Sequence, residues 1–305
     1  MEGGLNIVRI VYSEKYHVDI GSHVFPTLKY RLTYETLLRE SFSPQVFVTP
    51  DAASDEDILL VHTEEYINKL KSGKLTPQEI LTMEVPYSKA LVQGSWICVG
   101  GTILASQLAL KDMVGLHIGG GFHHAFPDHG EGFCVLNDIA IAIKRLKKDG
   151  AINKALVIDC DLHHGNGTAF IFAKDRDVFT FSIHQEYNYP AVKPPSKLDI
   201  GLEDGVGDDE YLEHLKRHIP KVIDEFKPDF IIYVAGADPY EHDQLGGLAL
   251  TINGLKERDK LIFGLAHEKR IPIACVLAGG YAVDIKDTVE IHTNTIKVGC
   301  DVFNQ

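Results

Sequence analysis

Asp161-Leu162-His163 places a carboxylate and an imidazole two residues apart. In an extended segment side chains at i and i+2 share a face, so both point one way while Leu162 turns to the other. That pair suits zinc or another borderline divalent cation. Asp238, just past the apolar run Phe230–Val234, offers a third ligand from a neighbouring strand. Three protein ligands leave coordination positions open for water and substrate, which is the catalytic arrangement. His123-His124 follows Gly119–Gly121 and supplies two imidazoles for proton transfer. Asp159 and Asn166 are available to orient them, and a carboxylate partner makes a histidine more basic than an amide does. Tyr281, after Ala278-Gly279-Gly280, offers a phenol that can donate to a developing oxyanion. Taken singly, each has a plainer reading: Asp161 as a helix cap, the histidines as hydrogen-bonded core residues, Tyr281 as packing. Metal-assisted hydrolysis is the reading when all lie at one place.

The elements that must bring them there are short apolar runs alternating with helical patterns. Strands are predicted at Leu5–Val11, Val114–Ile118, Ala155–Ile158, Val178–Ile183, Phe230–Val234 and Ile271–Leu277. Helices are predicted from Pro26 to Arg39, at Ser88–Lys111, Asn137–Lys147, Asp208–Phe226 and Thr251–His267. Apolar strands of this length between helices indicate an α/β fold whose parallel sheet is covered on both faces. Each of the last five strands is followed by a Gly, His or Asp cluster: GGGFHH, DCDLHHGNG, HQEYNYP, AGADPYEHD and AGGYA. Ligands of open α/β sheets bind beyond the carboxyl ends of the strands, so five loops converge on one mouth.

Composition narrows the class. The 305 residues are 45% apolar and 24% charged, ordinary for a globular protein, and no linker or repeat divides them. One domain over residues 1–305 is expected. The formal charge of −13 argues against direct nucleic-acid binding, which needs clustered Lys and Arg, and is compatible with a cationic substrate. No run of roughly 18 apolar residues predicts a membrane span. The five cysteines, Cys98, Cys134, Cys160, Cys275 and Cys300, form no C-x-x-C pair, and with no signal-peptide pattern a reducing cytoplasm is expected. Histidine stands out: seven of the 15 fall between His117 and His184.

Four segments carry a family resemblance: HIGGGFHHAFPDHGEGFCVLND (His117–Asp138), VIDCDLHHGNG (Val157–Gly167), AGADPYEHDQLGGL (Ala235–Leu248) and LAGGYA (Leu277–Ala282). In type and order they resemble the zinc-dependent histone deacetylase family, which includes bacterial deacetylases, acetylpolyamine amidohydrolases and acetoin-utilisation proteins. SHVFPTLKY, starting at Ser22, and DQLGGL look most like class IV members and their bacterial relatives. The resemblance implies the arginase/deacetylase fold, a three-layer α/β/α sandwich around a mostly parallel eight-stranded sheet. It implies one catalytic zinc on Asp161, His163 and Asp238. His123 and His124 would be the active-site histidines, paired with Asp159 and Asn166. Tyr281 would polarise the substrate carbonyl. Gly132 and Phe133 would line an acyl-lysine channel, with Tyr189 or Tyr187 as its second aromatic. A structural potassium ion would sit on Asp159, Ser182 and the backbone carbonyls of Asp161, His163 and Ile183.

The implied activity is hydrolysis of an N-ε-acyl-lysine amide on a protein, with acetyl as the family default and a long fatty acyl chain as the class IV variant. Class I members carry Asp where this chain has Asn166, so His124 should be the less basic partner. Glu84 lies near the place of an acidic substrate-rim residue. Three other readings compete. An acetylpolyamine hydrolase would need a loop insertion, and no long one is visible. A dimetal arginase-type site would need more acids than Asp238-Pro239-Tyr240-Glu241 supplies. A silent acyl-lysine-binding protein would be expected to lack one of these residues. Iron in place of zinc and the oligomeric state leave no signature in the sequence.

Overall fold

In the computed structural model, which describes residues 8–304, the apolar runs become a single parallel sheet. The chain opens with β1 (Ile10–Val11), α1 (Leu28–Arg39), β2 (Phe47–Val48) and the helices α2 (Asp55–Ile58), α3 (Glu64–Ser72), α4 (Pro77–Met83) and α5 (Lys89–Asp112). It continues with β3 (Val114–His117), α6 (Asp138–Lys148), β4 (Ala155–Asp159), α7 (Asn166–Phe172), β5 (Val178–Gln185) and β6 (Leu198–Leu202). It ends with α8 (Asp208–Phe226), β7 (Phe230–Val234), α9 (Ile252–Lys269), β8 (Ile273–Val276) and α10 (Ile285–Phe303). The strand order is β2-β1-β3-β8-β7-β4-β5-β6, and every pairing is parallel, so "mostly parallel" becomes wholly parallel.

β3, β4, β7 and β8 are buried along their whole length, which is why they read as unbroken apolar runs rather than as alternation. One series of helix contacts runs α5–α6–α7; another runs α8–α9–α10–α1, and α5 and α10 both pack on β3. Helices therefore cover both faces of the sheet, as in the predicted three-layer sandwich.

Register matters most for function. His117 pairs with Val276, Val276 with Val234, Val234 with Asp159, and Asp159 with Ser182. These five residues form one row across the sheet; β3, β8, β7 and β4 end level at it, while β5 runs on to Gln185. The neighbouring order β3-β8-β7-β4 then sets the GGGFHH, AGGYA, AGADPY and DCDLHH loops side by side.

The predicted elements agree to within a few residues, and the capping chemistry accounts for the ends. Asn137 caps α6 by accepting from the Ala140 N–H at 2.9 Å, and Thr251 caps α9 from outside it by accepting from Gly254. Of the predicted strand Leu5–Val11, residues 5–7 lie outside the described residues and only Ile10–Val11 is a strand. No element is predicted from the sequence at β2, α2, α3, α4, α7, β6 or α10. β6 is an edge strand of alternating exposure, LDIGL, too polar to register as an apolar run. α5 is the one helix among the described residues long and apolar enough to cross a membrane, and 72% of its most apolar window is buried inside the protein. At Gly101 of that helix a Cβ would collide with Tyr16 Oη and His117, so the glycine permits close packing.

Candidate metal centre and active site

β4 ends at Asp159, and the next residues carry Asp161 and His163 to the sheet edge while Leu162 is buried on the opposite side. β7 delivers Asp238 beside them. All three residues are buried, and one donor atom from each lies within 4.8 Å of the other two. His163 Nδ1 is 3.2 Å from both Asp161 Oδ1 and Asp238 Oδ2. Backbone donors aim the carboxylates: Gly279 N–H donates to Asp161 Oδ2 at 2.8 Å and Leu162 N–H to Asp238 Oδ1 at 2.9 Å. Gly279 must be glycine, since a Cβ there would overlap Asp238 Oδ2 and lie 2.6 Å from Asp161 Oδ2.

Charge at this spot calls for a cation. Burial, with the neighbouring Asp161, pushes Asp238 up to about 6. Burial also opposes ionising Asp161, yet His123 and His163 hold it well below the usual carboxylate range. Burial disfavours a charged His163, but the two carboxylates outweigh it and raise this imidazole to about 10. Two carboxylates and one imidazole facing a shared point are a donor set that could hold a divalent cation.

The loop after β3 presents the histidine pair. It is held by Asp138, whose carboxylate accepts from Gly121 N at 3.0 Å, Phe122 N at 2.8 Å and Thr102 Oγ1 at 2.6 Å. Asn137 Nδ2 donates to the His123 and Ala125 carbonyls. Asn137-Asp138, legible in the sequence as a helix start, therefore also anchors the loop. His123 Nδ1 lies 2.7 Å from Asp159 Oδ2, His124 Nδ1 lies 2.7 Å from Asn166 Oδ1, and the two Nε2 atoms are 3.1 Å apart. Burial works against charge on His123, but Asp159 and Asp161 prevail and push it up to about 9. His124 is held well below the ordinary histidine value by burial and by the neighbouring His123 and His163. That is the direction expected for a histidine with an amide partner.

Tyr281 stands beside His163, with ring centroids 6.3 Å apart. Its backbone N–H donates to Asp243 Oδ2 at 2.7 Å. Burial and then Asp238 and Asp161 hold its phenol well above 10, so it stays a donor. A cleft of about 210 Å³ opens above these groups, lined by His124, His163, Tyr281, Gly132, Phe133, Tyr189, Asn188, Leu245 and Glu84. Gly132 and Phe133 are among its lining residues. Of the two tyrosines, Tyr189 lines the cleft, with its ring 5.1 Å from that of His124, while Tyr187 is 78% exposed and takes no part in the lining. Below lies a small cavity of about 20 Å³ bounded by Phe25, Tyr30, His123, Asp161 and Tyr281.

Ser182 sits next to Asp159 in register, its hydroxyl 2.9 Å from His184 Nδ1. Of the histidines left to structure, His117 bonds Tyr16 and Thr102, His164 bonds Asp199, and His129 bonds Asp128 and Glu131.

Four residues around the site have no role assigned from the sequence, although Lys29, Glu131 and Asp243 lie in the segments that carry the family resemblance. Lys29, fully buried, donates to the Ala278 carbonyl at 2.7 Å; burial pushes it down to about 8 against the pull of Asp238, Asp161 and Asp243. Asp243 holds Tyr281, as above. Arg258 donates to the Gly236 carbonyl at 2.6 Å and pairs with Asp259 at 2.9 Å. Glu131 accepts from Asn166 Nδ2 at 2.6 Å. A charged residue in a helix or loop reads as solvated until its partners are known.

The family model described as the histone deacetylase domain matches residues 23–296. An uncharacterised protein of Picosynechococcus is 40% identical over 296 residues, covering 96% of this chain and 99% of its own. Histone deacetylase 2 of Arabidopsis thaliana is 33% identical, covering 96% of this chain and 79% of its own. Acetoin utilization protein AcuC of Bacillus subtilis is 34% identical, with 85% and 73% covered. Among solved structures, the HDA15 HD domain superposes with a TM-score of 0.79 at 21% identity over 95% of this chain and 90% of that one, a likeness of fold.

Proposed function

The chain belongs to the histone deacetylase family, and from that premise we propose that it hydrolyses the amide bond of N-ε-acyl-lysine with one zinc ion held by Asp161, His163 and Asp238. The observation that carries this is a single cleft bringing together a metal-ligand candidate (His163), an uncharged imidazole (His124) and a protonated phenol (Tyr281). Bound zinc supplies Lewis acidity to the substrate carbonyl and to the attacking water. The residues do the rest. His124 Nε2 accepts a proton from water. Tyr281 donates a hydrogen bond to the oxyanion that forms on the acyl carbon. His123, kept protonated by Asp159, returns a proton to the departing lysine amine. Gly132, Phe133 and Tyr189 leave a narrow apolar passage for the lysine stem.

Acetyl is the acyl group that the space beneath the cleft favours. That cavity is about 20 Å³, and an adjoining one, sharing Phe25, Tyr30, Phe122 and Phe133, is about 30 Å³. A long fatty chain has an apolar direction to follow there, through these shared aromatics, but fits only with their displacement. A potassium ion on Asp159, Ser182 and the Asp161, His163 and Ile183 carbonyls is supported by the Asp159–Ser182 pairing. Class IV kinship rests on the sequence of the segments around His23 and Leu245. A cytoplasmic location is supported by five cysteines that are all free and buried.

One experiment tests the reading: kcat/KM on one lysine peptide carrying acyl chains from acetyl to myristoyl, with acetylated polyamine alongside, before and after chelation. Loss with chelator, return with zinc and a preference for the short acyl-lysine peptide support it. Equal activity after complete metal removal, or none on any substrate at full zinc loading, defeats it. Metal analysis at one ion per chain, counted apart from potassium, separates it from a dimetal hydrolase.

A further inference from the structure

Asn166 could face His124 with either end of its amide, and the two ends dictate opposite tautomers. The neighbour that decides is Glu131. Its Oε1 lies 2.6 Å from Asn166 Nδ2, and the same oxygen accepts from Tyr189 Oη at 3.2 Å. His129 Nε2 is 3.3 Å from the other oxygen. These donors hold Glu131 below its ordinary value against the cost of burial, so it is a carboxylate and can only accept. Asn166 must then turn its NH₂ to Glu131 and its carbonyl oxygen to His124 Nδ1, 2.7 Å away. That oxygen can only accept, so His124 Nδ1 carries the hydrogen and Nε2 keeps the lone pair.

We propose that Glu131 is a positioning residue that fixes the tautomer of His124 through Asn166, aiming the basic Nε2 at the reaction site. It touches no substrate in this role. The whole relay is Asp159–His123–His124–Asn166–Glu131, with an acceptor-only carboxylate at each end. Glu131 also anchors Tyr189, tying the cleft wall to the base. Without Glu131 the amide is free to flip. A flipped Asn166 would offer N–H to His124 Nδ1, moving the imidazole hydrogen to Nε2 and blocking it as a base. The inference rests on the role proposed above for His124, but its central measurement does not need activity.

The test uses the zinc-loaded full chain as wild type, E131Q, N166D and the E131Q/N166D double variant. Histidine ¹⁵N NMR reads the His124 tautomer, with its signal assigned by loss in H124A. Wild type is expected to hold hydrogen on Nδ1, and E131Q to show a mixture. In E131Q kcat should fall by roughly 10- to 100-fold, as when the partner behind a metal-site histidine is lost, with KM little changed. N166D sets two carboxylates in contact, so adding E131Q to it should raise activity. E131Q would then be harmful in the wild-type background and helpful in the N166D background, which a merely structural Glu131 would not produce. An Nε2–H tautomer in wild type, an unchanged tautomer in E131Q, or equal fold-losses from E131Q in both backgrounds would overturn the proposal. The wild-type spectrum decides even if a variant fails to fold, and it does so whatever substrate the protein prefers.

Discussion

His123 and His124 meet Nε2 to Nε2 at 3.1 Å, adjacent in the chain yet with opposite affinities for a proton. Asp159 and Asp161 pull His123 up to about 9, whereas burial and two neighbouring imidazoles hold His124 well down. Carboxylates offset the cost of burial at His123, whereas the amide behind His124 does not outweigh burial and its two imidazole neighbours. Asp159→Asn should therefore lower kcat by roughly 10–100-fold, the usual cost of losing the partner behind a metal-site histidine. Steady-state kinetics at matched zinc content will measure it, and an unchanged kcat would remove His123 from proton transfer.

Tyr281 is placed to act through its hydroxyl alone, since its backbone is held independently by Asp243. Tyr281→Phe should cut kcat by about 10²–10³, the loss when one oxyanion donor is removed. KM, zinc stoichiometry and melting temperature should stay close to wild type. Wild-type turnover in this variant would contradict the assigned role.

Gly279→Ala should abolish tight zinc binding, because the added methyl overlaps Asp238 Oδ2 and crowds Asp161 Oδ2. Zinc per chain after dialysis is the measurement. In wild type, zinc should also raise thermal stability, since a ligand at about 1,000 times its Kd adds roughly 4 kcal/mol. Gly279→Ala should lose that increment; retention of both stoichiometric zinc and the thermal shift would contradict the geometry.

Arg258 is buried beside Asp259 and holds the Gly236 carbonyl in the loop that carries Asp238. Arg258→Ala leaves Asp259 buried without its cation, a loss of about 3–5 kcal/mol. Urea unfolding will read the loss, and a midpoint unchanged from wild type would contradict it.

Acid should destabilise the protein through its buried, uncharged histidines. Burial depresses His62 to about 4 and His117 to about 3, against about 6.5 in an unfolded chain. His62 Nε2 must be unprotonated to accept the Asn137 N–H at 3.0 Å. Between pH 6.5 and those folded values the unfolded chain binds more protons, so stability rises with pH there. The contribution is complete above about 6.5 and is lost as pH falls towards 4 and then 3. For His62 alone the span is worth about 3 kcal/mol. Unfolding free energies from pH 8 to 4 in wild type and His62→Gln check it: the variant should have the shallower slope, and equal slopes would contradict the assignment.

The sequence by itself determined most of the sheet and gathered the candidate site residues at one edge of it. Strands buried on both faces must be continuous apolar runs, and Phe230–Val234 or Ala155–Asp159 can be little else. Polar residues immediately after such strands have one destination, the carboxyl edge, so Asp161, His163, Asp238, His123, His124 and Tyr281 could be assigned together. Tertiary structure alone decided which charges are buried and what they face. Lys29, Arg258 and Glu131 have the composition of surface residues, and Arg258 sits in Leu255–Leu261, a stretch that reads as a solvated helix face. Their roles depend on partners distant in the chain: the Ala278 carbonyl for Lys29, the Gly236 carbonyl for Arg258, and Asn166 for Glu131. A hydrogen bond is specified by two positions in space to within a few tenths of an ångström, and local periodicity carries no such information. The same limit separates Tyr189 from Tyr187: identical in type and two residues apart, one forms the cleft wall because Glu131 holds its hydroxyl, while the other lies in solvent.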